Sequence, residues 1–412
     1  METIKSGKSN PMRKEKVLII ILNNLVGFLK NNIGKYAMLI ALGLIIIFFQ
    51  IRTEGRLLLP MNVTNLILQN GYVLILAIGM VLCILSGGNI DLSVGAVCAF
   101  IGGVTGTLIV NMKMDMVSAI IIALLIGAAI GAWQGFWIAY VRIPSFIVTL
   151  AGMLIFRGLN TYWLKGLTLS PFPKKFQQIS AGFIPDIFSG FELDLNVTAL
   201  MAGFVIALIY TGLQIKKRLD RKKQNLKCPM IFLFVIKLML VVAVIMGFSY
   251  LLAQHKGIPI VLVIIGTLIL IYHFFTLKTV PGRYIYAMGG NEKAAKLSGI
   301  NTNKVLFLTY VNMGVLASIA GIVFTSRLNA ASPQAGVNFE LDAIAACFIG
   351  GASAYGGVGT VVGAIIGALV MGVLNNGMSI SNVDSAIQMA VKGFVLLMAV
   401  AFDVLSKKKL SQ

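Results

Sequence analysis

Long apolar stretches separated by short polar ones run through most of this 412-residue chain. Allowing for interruptions, the apolar runs cover 36–51, 63–85, 92–110, 117–141, 145–156, 196–215, 230–252, 258–275, 305–326, 341–355, 358–376 and 384–402. A helix needs about 20 apolar residues to cross the hydrocarbon layer, so most of these runs predict membrane-spanning helices. Runs 145–156 and 341–355 are short for a crossing and read as broken or re-entrant pieces. The expected fold is an all-α polytopic membrane protein with about 10–12 transmembrane or re-entrant helices.

One polar interlude stands out between two long apolar runs: GRYIYAMGGNEKAAKLSGI, residues 282–300. It predicts a short helix held outside the bilayer. Asn291 can cap the N-terminus, Glu292 suits the positive end of the helix dipole and can pair with Lys296 one turn on, and Gly299 supplies a left-handed stop. Residues 292–298 give roughly two turns, about 10 Å of rod. So short a rod is unstable alone and must be braced by its own spans or by another protein. Ala294, Ala295 and Leu297 offer it a small apolar ridge.

Composition sharpens this picture. With 58% hydrophobic residues, 12% charged residues and a mean hydropathy of +0.92, a soluble globule is excluded. The basic residues fall into four places: seven before Tyr36, seven in 216–227, five between Lys278 and Lys304, and Lys407, Lys408 and Lys409 near the end, 22 of the 34 in all. The positive-inside bias places all four at the cytoplasmic face, with both termini inside. A formal charge of +20 raises the question of nucleic acid. The basic residues flank the membrane without aromatic interleaving, however, so anionic lipid is the expected partner and nucleic acid is not.

The chain therefore divides into a basic cytoplasmic or interfacial N-terminus, 1–35, and a transmembrane domain, 36–409. Its halves span about 36–215 and 230–409, and a cytoplasmic loop lies at 276–304. The run VLIIILNNLVGFL after Lys16 has the look of a signal-peptide core, but no small-residue cleavage site follows before Lys35. It predicts a helix lying in the inner interface.

Motifs with chemical potential are few. LSGGNIDLSVG, residues 85–95, begins like the nucleotide-sensing signature of ABC ATPases, but there is no GxxxxGK[ST] loop and no soluble α/β domain, so the chain cannot hydrolyse ATP alone. Asp91 at or inside the membrane needs a partner or a water-lined cavity. The set Asn89, Asp91, Leu92, Ala96 and Cys98 reappears 249 residues later as Asn338, Glu340, Leu341, Ala345 and Cys347, and GAAIGA at 127–132 returns as GAIIGA at 363–368. The predicted topology puts Asn89 at the cytoplasmic edge and Asn338 at the outer edge, which gives two inverted-topology repeats. Gly127, Gly131 and Gly135 have the spacing of close helix packing, and Gly356, Gly357 and Gly359 predict a turn.

No Ser/His/Asp, Cys/His or paired-carboxylate set has useful spacing, so no catalytic residue and no metal site is expected. His255 and His273 flank one run and need only an interfacial role. Cys83, Cys98, Cys228 and Cys347 lack metal or disulfide spacing and read as small buried apolar residues. Lys392, about two turns into the last run, predicts an ion pair inside the bundle. There is no chain of carboxylates at the midplane, which argues against proton or sodium coupling. Amide side chains able to hydrogen-bond a polar solute are Asn70, Asn89, Gln134, Asn312, Asn375 and Asn376, and with Asp91 they are the candidates for a translocation path.

SGGNIDLSVG (86–95), PSFIVTLAGMLIFRG (144–158), the 282–300 stretch and FIGGASAYGGVGTVVGA (348–364) resemble the permease subunits of bacterial monosaccharide ABC importers, the ribose-permease-like family. The resemblance spans about 36–409 and is nearest to the xylose and multiple-monosaccharide branch, whose extra length corresponds to the basic loop 216–227 with the spans beside it. It implies that 282–300 is a coupling loop docking on a separate ATPase subunit through Gly289, Gly290, Asn291, Glu292, Ala295, Leu297 and Gly299. ATP and Mg would then belong to that partner, leaving this chain without a cofactor. A second copy of the chain, an extracytoplasmic sugar-binding protein and the lipid of a bacterial inner membrane complete the implied assembly. Outer segments 157–194 and 328–340 are the implied docking surface for the binding protein. Relatives of this type also move nucleosides, autoinducer-type furanoses or branched-chain amino acids. A reading of another class, a channel or secondary carrier working without an ATPase, predicts transport by the isolated chain.

Overall fold

A computed structural model describes residues 38–188, 194–226 and 230–410. The expected interfacial helix in 1–35 and Cys228 lie outside these residues. The described chain is helical throughout, with isolated β-bridges in place of strands. In order the helices are α1 (Met38–Arg52), α2 (Pro60–Leu85), α3 (Val94–Gly106), α4 (Met116–Ala139), α5 (Ser145–Trp163), α6 (Lys174–Ala181), α7 (Val197–Lys223) and α8 (Ile231–Ala253). After these come α9 (Ile260–Lys278), α10 (Val280–Gly290), α11 (Glu292–Leu297), α12 (Thr302–Leu328), α13 (Phe339–Ile349), α14 (Val361–Ile380) and α15 (Ser385–Leu410).

Among the described residues, ten helices are long and apolar enough to cross a membrane, α3 counting with its π-helical extension Thr107–Asn111. The chain is a multi-pass membrane protein. The short run 145–156 is corrected: it extends through Arg157 to Trp163 as a 19-residue helix, because one arginine and one asparagine interrupt the hydropathy without breaking the backbone. The other short run behaves as expected, since α13 has only 11 residues.

Two helices carry the core. α2 and α12 lie against each other, with the Met313 side chain filling the space over Gly79 and Val323 reaching Gly71 at the far end. This antiparallel contact sets the ends of the bundle: Leu85 and Thr302 lie at one face, Pro60 and Leu328 at the other. The first, which also carries the Lys-rich end of α7, is called here the basic face. α12 packs on α3 and α4, and α2 packs on α13 and α14. The α4 contact uses the small-residue row seen in the sequence, with Gly127, Gly131 and Gly135 meeting Ser318, Tyr310 and Phe307.

α3 and α13 are half-helices that begin back to back inside the bundle. The Gly95 backbone abuts that of Gly336, so closely that a Cβ on Gly336 would lie 2.7 Å from the Gly95 carbonyl carbon. From there α3 climbs away from the basic face, with the Cys98 thiol donating to Ala317 O at 3.0 Å and Gly102 against Thr325. α13 descends towards the basic face, with the Cys347 thiol donating to Ala77 O at 3.5 Å and Gly350 against Gly363. Asn338, at the cap of α13, is thus drawn inward with Gly336 to the middle of the bundle, deeper than the edge position expected from run lengths. A chain re-entering as extended backbone covers about 3.3 Å per residue against 1.5 Å in a helix, which lets a short segment reach that depth.

Candidate functional site

The polar interlude folds into two helices. α10 starts at Val280, where the Thr279 hydroxyl accepts from Gly282 N at 3.2 Å, and ends at Gly290. α11 is the expected rod, one residue shorter than predicted: the Asn291 side-chain oxygen accepts from Ala294 N at 3.0 Å, and Gly299 takes a left-handed φ of +82°. Its faces differ sharply. Ala295 is buried, while Leu297 is 90% exposed, with nothing among the described residues to cover it. The predicted Glu292–Lys296 pair is not formed. Glu292 instead accepts from Arg142 at 2.7 Å, and the same guanidinium donates to Asn303. Arg142 wins because its loop between α4 and α5, left-handed at φ +66°, stands against α11 and offers a fork where Lys296 offers a single mobile point charge.

Behind α11 the backbone of three distant segments meets. Leu85 O, ending α2, accepts from Gly357 N at 3.1 Å. A Cβ on Gly289 would sit 2.6 Å from that same nitrogen and closer still to Leu85 O. Gly356 lies on Gly87 in the same way, and the Tyr286 hydroxyl donates to Gly359 O at 2.9 Å. The end of α10 is therefore wedged between the two loops that lead to and from the half-helices α3 and α13. Gly290 points the other way, into open space.

Of the path candidates, Asp91 and Gln134 come together. Asp91 is buried, and its Oδ1 accepts from Ser93 N at 2.8 Å and Ser93 Oγ at 2.6 Å. Ser93 Oγ in turn accepts from Gln134 Nε2 at 2.6 Å, with Gly152 leaving room for the amide. The carboxylate lies at the N-terminal end of α3, where the helix dipole favours it. Ser93, the link in this chain, was passed over in the sequence because a serine in a glycine-rich stretch carries no periodic signal.

The remaining candidates stay apart. Asn89 Nδ2 donates to Ser86 O at 3.1 Å and closes a local turn. Asn70 Nδ2 donates to Leu66 O at 2.8 Å one turn back and packs on Gly372. Asn376 and Asn62 exchange hydrogen bonds of 2.9 and 3.2 Å, tying α14 to α2. Asn375 stands beside Asp342, whose carboxylate holds Lys392 at 3.1 Å, the ion pair expected for that lysine. Asn312 accepts from Tyr272 OH at the edge of a mainly apolar cavity of about 370 Å³ between α2, α9, α10 and α12.

Comparison with known proteins now bears on this arrangement. Residues 62–400, from α2 into α15, match the family described as branched-chain amino acid transport system / permease component. The chain belongs to this family. Xylose transport system permease protein XylH of Haemophilus influenzae is 41% identical over 379 residues, covering 92% of this chain and 98% of its own length. The Escherichia coli XylH is 38% identical over 402 residues, 98% of this chain and 99% of the relative. Ribose import permease protein RbsC of Escherichia coli is 35% identical over 344 residues, 83% and 85% of the two chains. No solved structure matches. The resemblance carried by the glycine-rich motifs is thus borne out at family level, and every segment of the three-way junction falls inside the matched region.

Proposed function

We propose that this chain is the membrane-spanning permease subunit of an ABC importer for monosaccharides, of xylose or ribose type, in a bacterial inner membrane. The observation that carries the reading is the junction at the basic face, set beside relatives named for xylose and ribose. α11 presents an uncovered leucine, and its neighbour α10 holds the loops of both half-helices by backbone contact. A push on Leu297 reaches those loops through packed backbone, which has no slack to absorb it. The partner delivering that push is a separate ATPase, with ATP and Mg bound there and no cofactor on this chain.

The basic face is the cytoplasmic one, as the positive-inside bias requires. Two halves of opposite orientation, α2–α5 and α12–α15, are supported by matched pairs. Cys98 and Cys347 bond a carbonyl of α12 and of α2, α4 packs on α12 as α14 packs on α2, and α5 flanks α3 as α15 flanks α13. Folds built this way place the solute path between the halves near the midplane. A second copy of the chain and an extracytoplasmic sugar-binding protein complete the importer.

The test is reconstitution into proteoliposomes with the ATPase and binding protein. ATP-dependent uptake of labelled xylose or ribose is expected, with none by the isolated chain. Pumping by the chain alone, or labelling of the Asn291 region from outside intact cells, refutes the reading. The family description names branched-chain amino acids, and uptake of leucine in place of a pentose would favour that reading.

A further inference from the structure

In the half of the bundle away from the basic face, α3 and α5 run side by side, closed above by the paired backbones of Leu169 and Ala331 at 2.9 Å. The surface they share with the start of α13 holds three buried polar atoms without a hydrogen-bond partner: Glu340 Oε2, Arg157 Nη2 and Asn160 Oδ1. Asn160 is fully buried and Glu340 only 7% exposed. Arg157 and Asn160 are three residues apart on α5 and so share a face. Glu340 stands in the first turn of α13 with Oε2 aimed across the Gly95 backbone: a Cβ there would meet it at 2.6 Å. One Cβ on Gly103 would likewise meet Asn160 Oδ1 at 2.5 Å, so α3 presents bare backbone to both. Arg157's charge reaches Glu340, yet the two do not close into an ion pair.

A carboxylate, a guanidinium and an amide oxygen held apart in a dry bundle cost several kcal/mol unless something bonds them. Packing has not removed them, and the sequence repeat puts Glu340 where the first half has Asp91, whose carboxylate is satisfied by Ser93. Backbone amides of Asn338 and Glu340 bond the Glu340 carboxylate, and its Oε2 is the atom left over. Vicinal hydroxyls complement the set: they donate to a carboxylate and an amide oxygen and accept from a guanidinium, with no net charge to desolvate.

We propose, resting on the sugar-importer reading, that Glu340, Arg157 and Asn160 form a station that bonds the hydroxyls of the passing monosaccharide. It lies in the membrane half away from the ATPase face. Selectivity then arises partly within the permease.

The importer reconstituted with its ATPase and binding protein tests this with xylose, ribose and their 2-deoxy analogues as probes. Glu340→Gln and Arg157→Gln are expected to lower pentose uptake per ATP hydrolysed by about ten- to hundredfold, the scale of a hydrogen bond to a charged group. They should also narrow the preference for a pentose over its deoxy analogue. Glu340→Asp, which keeps the charge and is gentler on folding, should show the same narrowing in weaker form. Uptake and preference unchanged in the single variants overturn the station. Restoration by combining Glu340→Gln with Arg157→Gln does so too, since it marks the two as mutual counter-charges. Failure of the unaltered importer to carry either pentose removes the sugar reading itself and the station with it.

Discussion

Gly289 and Gly290 are adjacent, end the same helix and differ only in what lies beyond the missing side chain, which makes them a paired test of the junction. On Gly289 a methyl group would sit 2.6 Å from Gly357 N and 2.9 Å from the Leu85 carbonyl carbon, and nearer still to Leu85 O. Ordinary carbon contacts need about 3.5 Å, so the loops must part by roughly 1–2 Å. The obstructing atoms are backbone on both sides and cannot turn aside as a side chain would. Overpacking of this kind costs about 1–3 kcal/mol, and straining the Gly357 N to Leu85 O bond adds about 1 kcal/mol. Alanine returns at most about 1 kcal/mol of helix propensity. Gly289→Ala is therefore expected to destabilise by about 1–3 kcal/mol net. Gly290→Ala, facing nothing within 4 Å, should be neutral or slightly stabilising. Thermal unfolding of the detergent-purified proteins gives the first readout, with a midpoint several degrees lower for Gly289→Ala alone. ATP-driven uptake gives the second, reduced for the same variant because α10 no longer seats between the loops. Equal midpoints and equal uptake for the two variants would show that the three segments do not meet as described.

Other outcomes follow from the ion pairs and the outer loop. Lys392→Met leaves Asp342 buried without its cation and should cost about 3–5 kcal/mol, most of it recovered when Asp342→Asn is added; unfolding midpoints of the single and double variants decide this. Arg142→Ala removes an exposed pair, with side chains 42% and 46% accessible, so stability should fall by less than about 1 kcal/mol in a melt at low salt. Ser93→Ala cuts the link between Asp91 and Gln134 and leaves the buried carboxylate with the backbone amide of residue 93 alone, so a loss of about 1–3 kcal/mol is expected, and near-neutrality would show that the hydroxyl does not join the two. In the outer loop, the bond from the Thr198 hydroxyl, with those from the backbone of Phe188, Val197 and Thr198, holds Asp186 below the ordinary carboxylate range. Its anchoring is thus complete above the ordinary carboxylate pKa and is lost as pH falls through the lowered one. Protection of the Val197 and Thr198 amides, taken relative to the intrinsic exchange rate at each pH, should fall only below about pH 4, and a fall near neutrality would contradict the assignment.

Much of the architecture was legible from apolar run lengths, because a bilayer leaves a chain few alternatives to helices of fixed length. The α11 rod was equally legible, since Asn291, Glu292 and Gly299 are start and stop signals that act within one turn. Pairings across the fold were not. Glu292 found Arg142, 150 residues away, where sequence spacing offered Lys296. The wedge of α10 was invisible for a related reason: Gly289 and Gly290 read alike in a sequence, and only the approach of Leu85 and Gly357 tells them apart. The path candidates were chosen by residue type, and asparagine serves helix packing as readily as it serves a solute, as Asn62 with Asn376 and Asn70 with Leu66 illustrate. Arg157 was not chosen because an apolar run containing one charge looks like a run that stops, and Glu340 entered only as the repeat counterpart of Asp91.

The buried thiols have a practical side. Cys83, Cys98 and Cys347 are shielded by the bundle, two of them already engaged with carbonyls, so aqueous maleimides should pass them by. Replacing Cys228 leaves only these three buried thiols as the native background. Single reporters set at Leu297 or Tyr162, both more than 80% exposed at opposite ends of the bundle, would then let reactivity follow which end opens during a transport cycle.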